Sequence, residues 1–178
     1  MTEMSKYNIA FKGLGLGVHE FDYEITSRFF EYFDGGIAED GNVSVKVRLE
    51  KQSNLMVLWF IIDGTVKVPC DRCLDLYDQP VEGEYSVYVK YGDESFEDGD
   101  DVIWVSTNEH QINVGKLIYD FIILSLPIRH VHPEDEDGNS LCNPDMLDKL
   151  ENLSFIPEKS EEETDSRWDD LRKLLENE

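Results

Sequence analysis

The chain has 178 residues, of which 39 are acidic and 16 basic, giving a net charge of −23, with 40% hydrophobic and 11% aromatic residues. That apolar content suits a globular chain with a core of its own rather than a disordered one. The negative field opposes extensive contact with naked RNA or duplex, whose affinity comes from cations that neutralise phosphates, and it attracts basic proteins when it does more than keep the chain soluble.

Tyr7, Ile9 and Phe11 alternate and are followed by the turn residues Gly13, Gly15 and Gly17. His19, Phe21, Tyr23 and Ile25 then alternate with Glu20, Asp22 and Glu24, the pattern of a half-buried strand. The glycines lack the lysine and long following helix of a phosphate loop, so turn chemistry is expected there. Thr26 or Ser27 can cap a short helix carrying Phe29, Phe30 and Phe33, which Gly35-Gly36 stops.

A β-meander follows. Val43, Val45, Val47 and Leu49 face one side, Leu55 to Ile62 returns apolar on both faces, and Asp63-Gly64 marks a bend or bulge before Val66 and Val68. Beyond Pro80, Tyr85, Val87, Val89 and Tyr91 alternate with polar residues, and strands joined by short links pair antiparallel. Residues 92–101 read as an acidic, mobile loop, and Val102 to Val105 as a short edge strand. Val114, Leu117, Ile118, Phe121, Ile122 and Ser125 recur at helical spacing, with Asn113 as a cap and Pro127 as the stop, predicting a helix over Asn113 to Leu126. The expected fold is α+β: an antiparallel meander sheet, open or partly closed, packed by this amphipathic helix. Residues 1–157 form one domain, and 158–178 an acidic tail with a short amphipathic helix carrying Trp168, Leu171, Leu174 and Leu175. That helix is a hook for a partner or docks on its own domain.

The chemistry-bearing motif is Val68-Pro69-Cys70-Asp71-Arg72-Cys73-Leu74, which follows the meander and is answered by His130, His132 and the only other cysteine, Cys142. Two cysteines three positions apart present both sulfurs to one ion, and a distant imidazole and third thiolate complete a tetrahedral set. Cys70, Cys73, His132 and Cys142 are therefore the candidate metal ligands, with structural zinc as the ion and only one of the two histidines expected to take part. Plain reduced thiols are the alternative, and Arg72 favours thiolate in either case. Thioredoxin-like exchange fits less well, because redox pairs open a helix in a βαβ setting. Four candidate ligands argue for a closed site, and no catalytic triad, paired-carboxylate or phosphate-loop pattern stands out. An odd number of cysteines argues against a disulfide framework, the chain start from Met1 to Asn8 lacks a secretory leader's apolar stretch, and no apolar run approaches a membrane span. The expected location is the cytoplasm.

The order of these parts resembles the YceD family. A meander leads into Cys70-Asp71-Arg72-Cys73-Leu74, a helix ends in Ile122-Ile123-Leu124-Ser125-Leu126-Pro127, Val131-His132 and Cys142 follow, and Asp165-Ser166-Arg167-Trp168 with Leu171 stands near the terminus. Some members carry a cysteine cluster after the Leu-Pro, others a histidine and a cysteine, and this chain resembles the second kind, with no second Cys-x-x-Cys. The resemblance covers roughly residues 40–175. It implies a role in the accumulation of large-subunit ribosomal RNA and supplies no catalytic mechanism. The function expected is a non-enzymatic factor in ribosome biogenesis that contacts a basic ribosomal protein or large-subunit assembly factor. The alternative is a metal- or thiol-dependent enzyme acting on RNA or a ribosomal protein.

Overall fold

The computed structural model describes residues 3–33, 35–38, 40–92 and 102–153. Five strands form one sheet: β2 (Gly17–Ile25), β3 (Asp40–Lys51), β4 (Leu55–Pro69), β5 (Leu76–Tyr91) and β6 (Val102–Val105), in that spatial order. A separate two-stranded ladder joins β1 (Asn8–Ile9) to β7 (Ile112–Asn113), antiparallel. The sheet is open, with β2 and β6 as its edges. Three of its four pairings are antiparallel, those of β3 with β4 and β4 with β5 across short links, whereas β6 runs parallel to β5. The acidic segment taken for a loop and the boundary expected at 157 lie outside the described residues.

Strand periodicity places Val43, Val45, Val47 and Leu49 on the inner face, each fully buried beside Leu58, Phe60 and Ile62 of β4. Asp63 and Gly64 do not break β4. They stay in register with Ser44 and Val43 on one side and with Glu82 and Val81 on the other. Gly64 sits at φ 158° with the β3 backbone so close that a Cβ would meet Asn42 O and Val43 Cα. The glycine marks a close approach of strands, not a bulge. The opening alternation also folds differently. Glu3–Tyr7 and Phe11–Gly13 are 3₁₀ turns, and Tyr7, Ile9 and Phe11 are buried anchors rather than one strand.

Helix α1 (Ser27–Phe30) follows Thr26 and buries Phe29 and Phe30. Helix α2 spans Gly115–Leu124, shorter than expected at both ends. Asn113 Oδ1 accepts the Gly115 N–H at 3.0 Å and so supports its first turn. Ile118 and Ile122 are fully buried, while Phe121 stacks on Tyr85 (centroids 4.6 Å, planes 4° apart) and meets Phe60 at 4.9 Å. Burying two such aliphatic side chains contributes on the order of 1.5–3 kcal/mol each. Past the helix, Ser125 Oγ lies 3.0 Å from Tyr85 Oη, pinning the point where the chain turns back along β5. The compact unit holding the sheet ends at Asn143. Helix α3 (Pro144–Leu153) begins a second unit and has no buried residue.

Candidate metal centre

The cysteine turn is the hairpin loop between β4 and β5. Pro69 pairs with Leu76, and the residues between them form the loop. Cys70 N–H donates to Asp75 O (3.0 Å) and Leu74 N–H to Cys70 O (2.9 Å), closing a knuckle. Leu74 takes φ 67°, the only positive value among the described non-glycine residues. That conformation costs a branched aliphatic residue on the order of 1–2 kcal/mol, so the turn must be held by contacts beyond its own backbone.

Asp71 supplies one such contact. Its N–H donates to His130 O at 2.6 Å, and its carboxylate accepts the His130 N–H at 2.7 Å. The turn is thereby stitched to the segment that follows α2. From there Val131 and His132 lead into a tight hairpin, in which the Asp135 carboxylate accepts the N–H groups of Asp137 and Asn139 and Leu141 N–H donates to Pro133 O. The bonds from the Asn139 backbone and side chain, and after them that from Asp137, hold the Asp135 carboxyl below the usual carboxylate range. The acidic loop between His132 and Cys142 is the device that brings them together.

The structure gathers Cys70, Cys73, His132 and Cys142 so that one ligand atom from each lies within 4.8 Å of every other. Cys70 Sγ is 3.7 Å from Cys142 Sγ, and Cys73 Sγ is 3.4 Å from His132 Nδ1. Zinc bound to sulfur at about 2.3 Å and to nitrogen at about 2.0–2.1 Å spaces tetrahedral ligands about 3.8 Å apart for two sulfurs and about 3.6 Å for sulfur and nitrogen. These two edges are close to those lengths, and the remaining ones stay within 4.8 Å. No disulfide joins the cysteines, and all three are buried. Three soft thiolates and one imidazole are a donor set suited to a metal such as zinc. Of the two histidines, His132 enters the cluster. His130 is buried with Nδ1 3.8 Å from Asp71 Oδ1, and its Nε2 has no hydrogen-bond partner among the described residues. The Tyr77 ring lies 4.7 Å from the His132 ring and fixes its tilt.

Electrostatics divides the thiols. Burial pushes the Cys70 thiol up, but the backbone N–H groups of Cys73, His132 and Arg72 and the His132 ring outweigh it, lowering the thiol from 9.0 to about 6. Arg72 acts here through its backbone N–H, 3.4 Å from Cys70 Sγ, rather than through the guanidinium that its position between the cysteines suggested. Cys142 is pushed up, first by burial and then by the neighbouring Cys70 and Cys73 sulfurs, with Ser140 offsetting part of this. The cluster thus starts with one thiolate ready to take a cation, and a bound cation would favour the others.

A family model described as large ribosomal RNA subunit accumulation protein YceD matches residues 58–175. The chain belongs to this family. Membership carries with it a role in large-subunit ribosomal RNA accumulation, and the matched span contains all four residues of the cluster. No curated protein and no solved structure matches the chain. Among the described residues, no helix is long and apolar enough to cross a membrane. Sequence reasoning missed Asp71, Asp135 and Tyr77, whose roles depend on which backbone each one meets. The aromatic hook expected at Trp168 lies outside the described residues.

Proposed function

We propose that this member of the YceD family supports large-subunit ribosomal RNA accumulation as a non-enzymatic factor in the cytoplasm. It contacts a basic ribosomal protein or assembly factor, and Cys70, Cys73, His132 and Cys142 hold a structural zinc ion. The observation that carries this reading is the closed donor set. Four protein side chains whose ligand atoms lie within 4.8 Å of one another would fill a tetrahedral site and leave no position for a substrate or an activated water, which a catalytic zinc needs. The net charge of −23 supports a basic protein rather than naked RNA as the direct contact.

Affinity purification of the tagged protein from cell lysate, before and after nuclease treatment, tests the partner. A basic ribosomal protein should remain bound after nuclease and leave as salt rises, because the Debye length falls from about 10 Å at 0.1 M to about 3 Å at 1 M. Loss of every partner on nuclease treatment, with tight binding of purified rRNA, would overturn the protein-mediated reading. The second reading, a thiol- or metal-dependent enzyme, draws on the thiolate of Cys70. Cys70→Ser and Cys73→Ser separate the two: lost fold supports a structural centre, and retained fold with lost turnover supports chemistry.

A further inference from the structure

The face of the sheet opposite α2 carries an electrostatic conflict that the fold does not resolve. Asp63 and Glu82 stand directly across from each other on β4 and β5, and Ile61 faces Glu84 in the next outward-pointing pair. Directly opposed side chains on an antiparallel pair have Cβ atoms about 4.5–5.5 Å apart, where like charges destabilise the sheet. Asp63, Glu82 and Glu84 are exposed and have no ion-pair partner among the described residues. The nearest cations of β3 are engaged elsewhere. Lys46, across from Ile61, lies 3.9 Å from Asp22, and the Arg48 guanidinium sits over the Trp59 ring at 5.7 Å.

Between these groups the surface is a shallow concavity of mixed polarity, with Ile61 as its exposed aliphatic side chain. Ile61 is 42% exposed although it lies in the middle of β4 and of the sheet. It lines both a concavity of about 410 Å³ shared with the three carboxylates, where the proposal below places its ligand, and an adjoining one of about 160 Å³ shared with Trp59 and Arg48. The exposed part of that isoleucine gains nothing from burial in the isolated fold, and the carboxylates beside it carry like charge.

We propose that this open sheet face is the docking surface for a basic segment of a protein partner. An arginine or lysine of that segment lays its aliphatic stem on Ile61 and sets its charged head among Asp63, Glu82 and Glu84. The inference rests on the protein-mediated reading above and gives it a place on the molecule. Charge complementarity selects the occupant. Phosphates are repelled by the carboxylates, and a second copy of a chain with net charge −23 brings the same sign. A cationic side chain with a hydrocarbon stem satisfies both the exposed Ile61 and the opposed carboxylates.

The test uses the full chain and a fluorescent peptide in which arginine and leucine are spaced by glycine and serine, with a citrulline-for-arginine peptide as its neutral control. The arginine peptide should bind and the citrulline peptide should not. Asp63→Asn/Glu82→Gln/Glu84→Gln should weaken binding roughly tenfold or more, and Ile61→Ser, which leaves the charge intact, several-fold. Glu134→Gln/Glu136→Gln/Asp137→Asn removes the same charge from the loop after His132, sparing the Asp135 carboxylate that holds that loop, and should change affinity by no more than about twofold. Circular dichroism of each variant confirms that it is folded. No peptide binding, equal losses in the two charge variants, or no effect of Ile61→Ser would overturn the docking surface. The protein-mediated reading fails separately, when nuclease abolishes every co-purifying partner while these peptide results stand.

Discussion

Replacing Asp71 by alanine should loosen the metal centre without touching any of its ligands. The Asp71 carboxylate accepts the His130 N–H at 2.7 Å, and its own N–H meets His130 O at 2.6 Å. Alanine keeps the second bond and loses the first. A hydrogen bond to a charged group contributes about 1.5–3 kcal/mol, and the amide left behind loses its partner. The Asp71 side chain is 51% exposed, so water replaces part of the lost contact and the expected cost falls to about 1–2 kcal/mol. With a urea m-value of about 2 kcal/mol/M, the unfolding midpoint should drop by about 0.5–1 M. Asp71→Asn keeps an oxygen acceptor without the charge and should cost about half as much. Because the clamp sets where His132 lies relative to the cysteine turn, zinc affinity of the alanine variant should also fall about tenfold or more, the usual scale for residues that orient ligands. Asp75→Ala is the control. It removes only an exposed bond to Asn143 and should stay within about 0.5 kcal/mol. An unchanged midpoint for Asp71→Ala, or equal losses for alanine and asparagine, would refute the clamp.

Cobalt titration of the metal-free protein should give the intense visible absorption of a tetrahedral thiolate site at one equivalent. Cys142→Ser should shift and weaken that absorption, and a spectrum unaltered by the substitution would remove Cys142 from the centre. The pH dependence of the metal-free protein follows from Cys70, whose thiol is lowered from 9.0 to about 6 on folding. A lowered value means that the folded state holds the thiolate more readily than the unfolded chain. The stabilisation is therefore complete above about pH 9 and is lost as pH falls through about 6. Cys70→Ser should flatten that part of the stability-versus-pH profile measured by urea unfolding. Ile118→Ala, at a fully buried position of α2, should cost about 2–5 kcal/mol by thermal or urea unfolding, and a loss below 1 kcal/mol would mean that the helix packs loosely on the sheet.

What could be read from the sequence is what depends on local period and spacing. Alternation at Val43 to Leu49 and helical spacing from Val114 to Ile122 each placed an apolar face, and both faces are buried. Cys70 and Cys73 could be paired because three positions on a turn fix two sulfurs near one point. What could not be read depends on where distant backbone lies. The alternation of Tyr7, Ile9 and Phe11 arises from 3₁₀ turns interrupted by a two-residue strand, whose side chains happen to point inward together. Gly64 looked like a bend because glycine permits one, whereas here it admits the close approach of β3. The parallel pairing of β6 with β5 leaves no mark in the four residues of β6 themselves. Helix α3 has its own signal in Asn143-Pro144-Asp145, a cap residue, a proline for the first turn and an acid near the N-terminus.

The placement of the cluster explains why a metal would matter to this fold. The β4–β5 hairpin ends in a loop with an unfavourable backbone at Leu74, and the chain after α2 returns to it as irregular structure. Among the described residues no strand pairing joins the two parts, and the Asp71–His130 pair, the Tyr77–His132 ring contact and the four clustered side chains link them. Without metal, at least one buried thiol must either carry an uncompensated charge or be protonated, as the opposite shifts of Cys70 and Cys142 show. A divalent cation held there would favour the thiolate form of all three sulfurs at once and relieve that conflict from within. On the far face of the sheet, Asp63, Glu82 and Glu84 pose a conflict of the same sign at a surface open to solvent, where a cation brought by another protein can answer it.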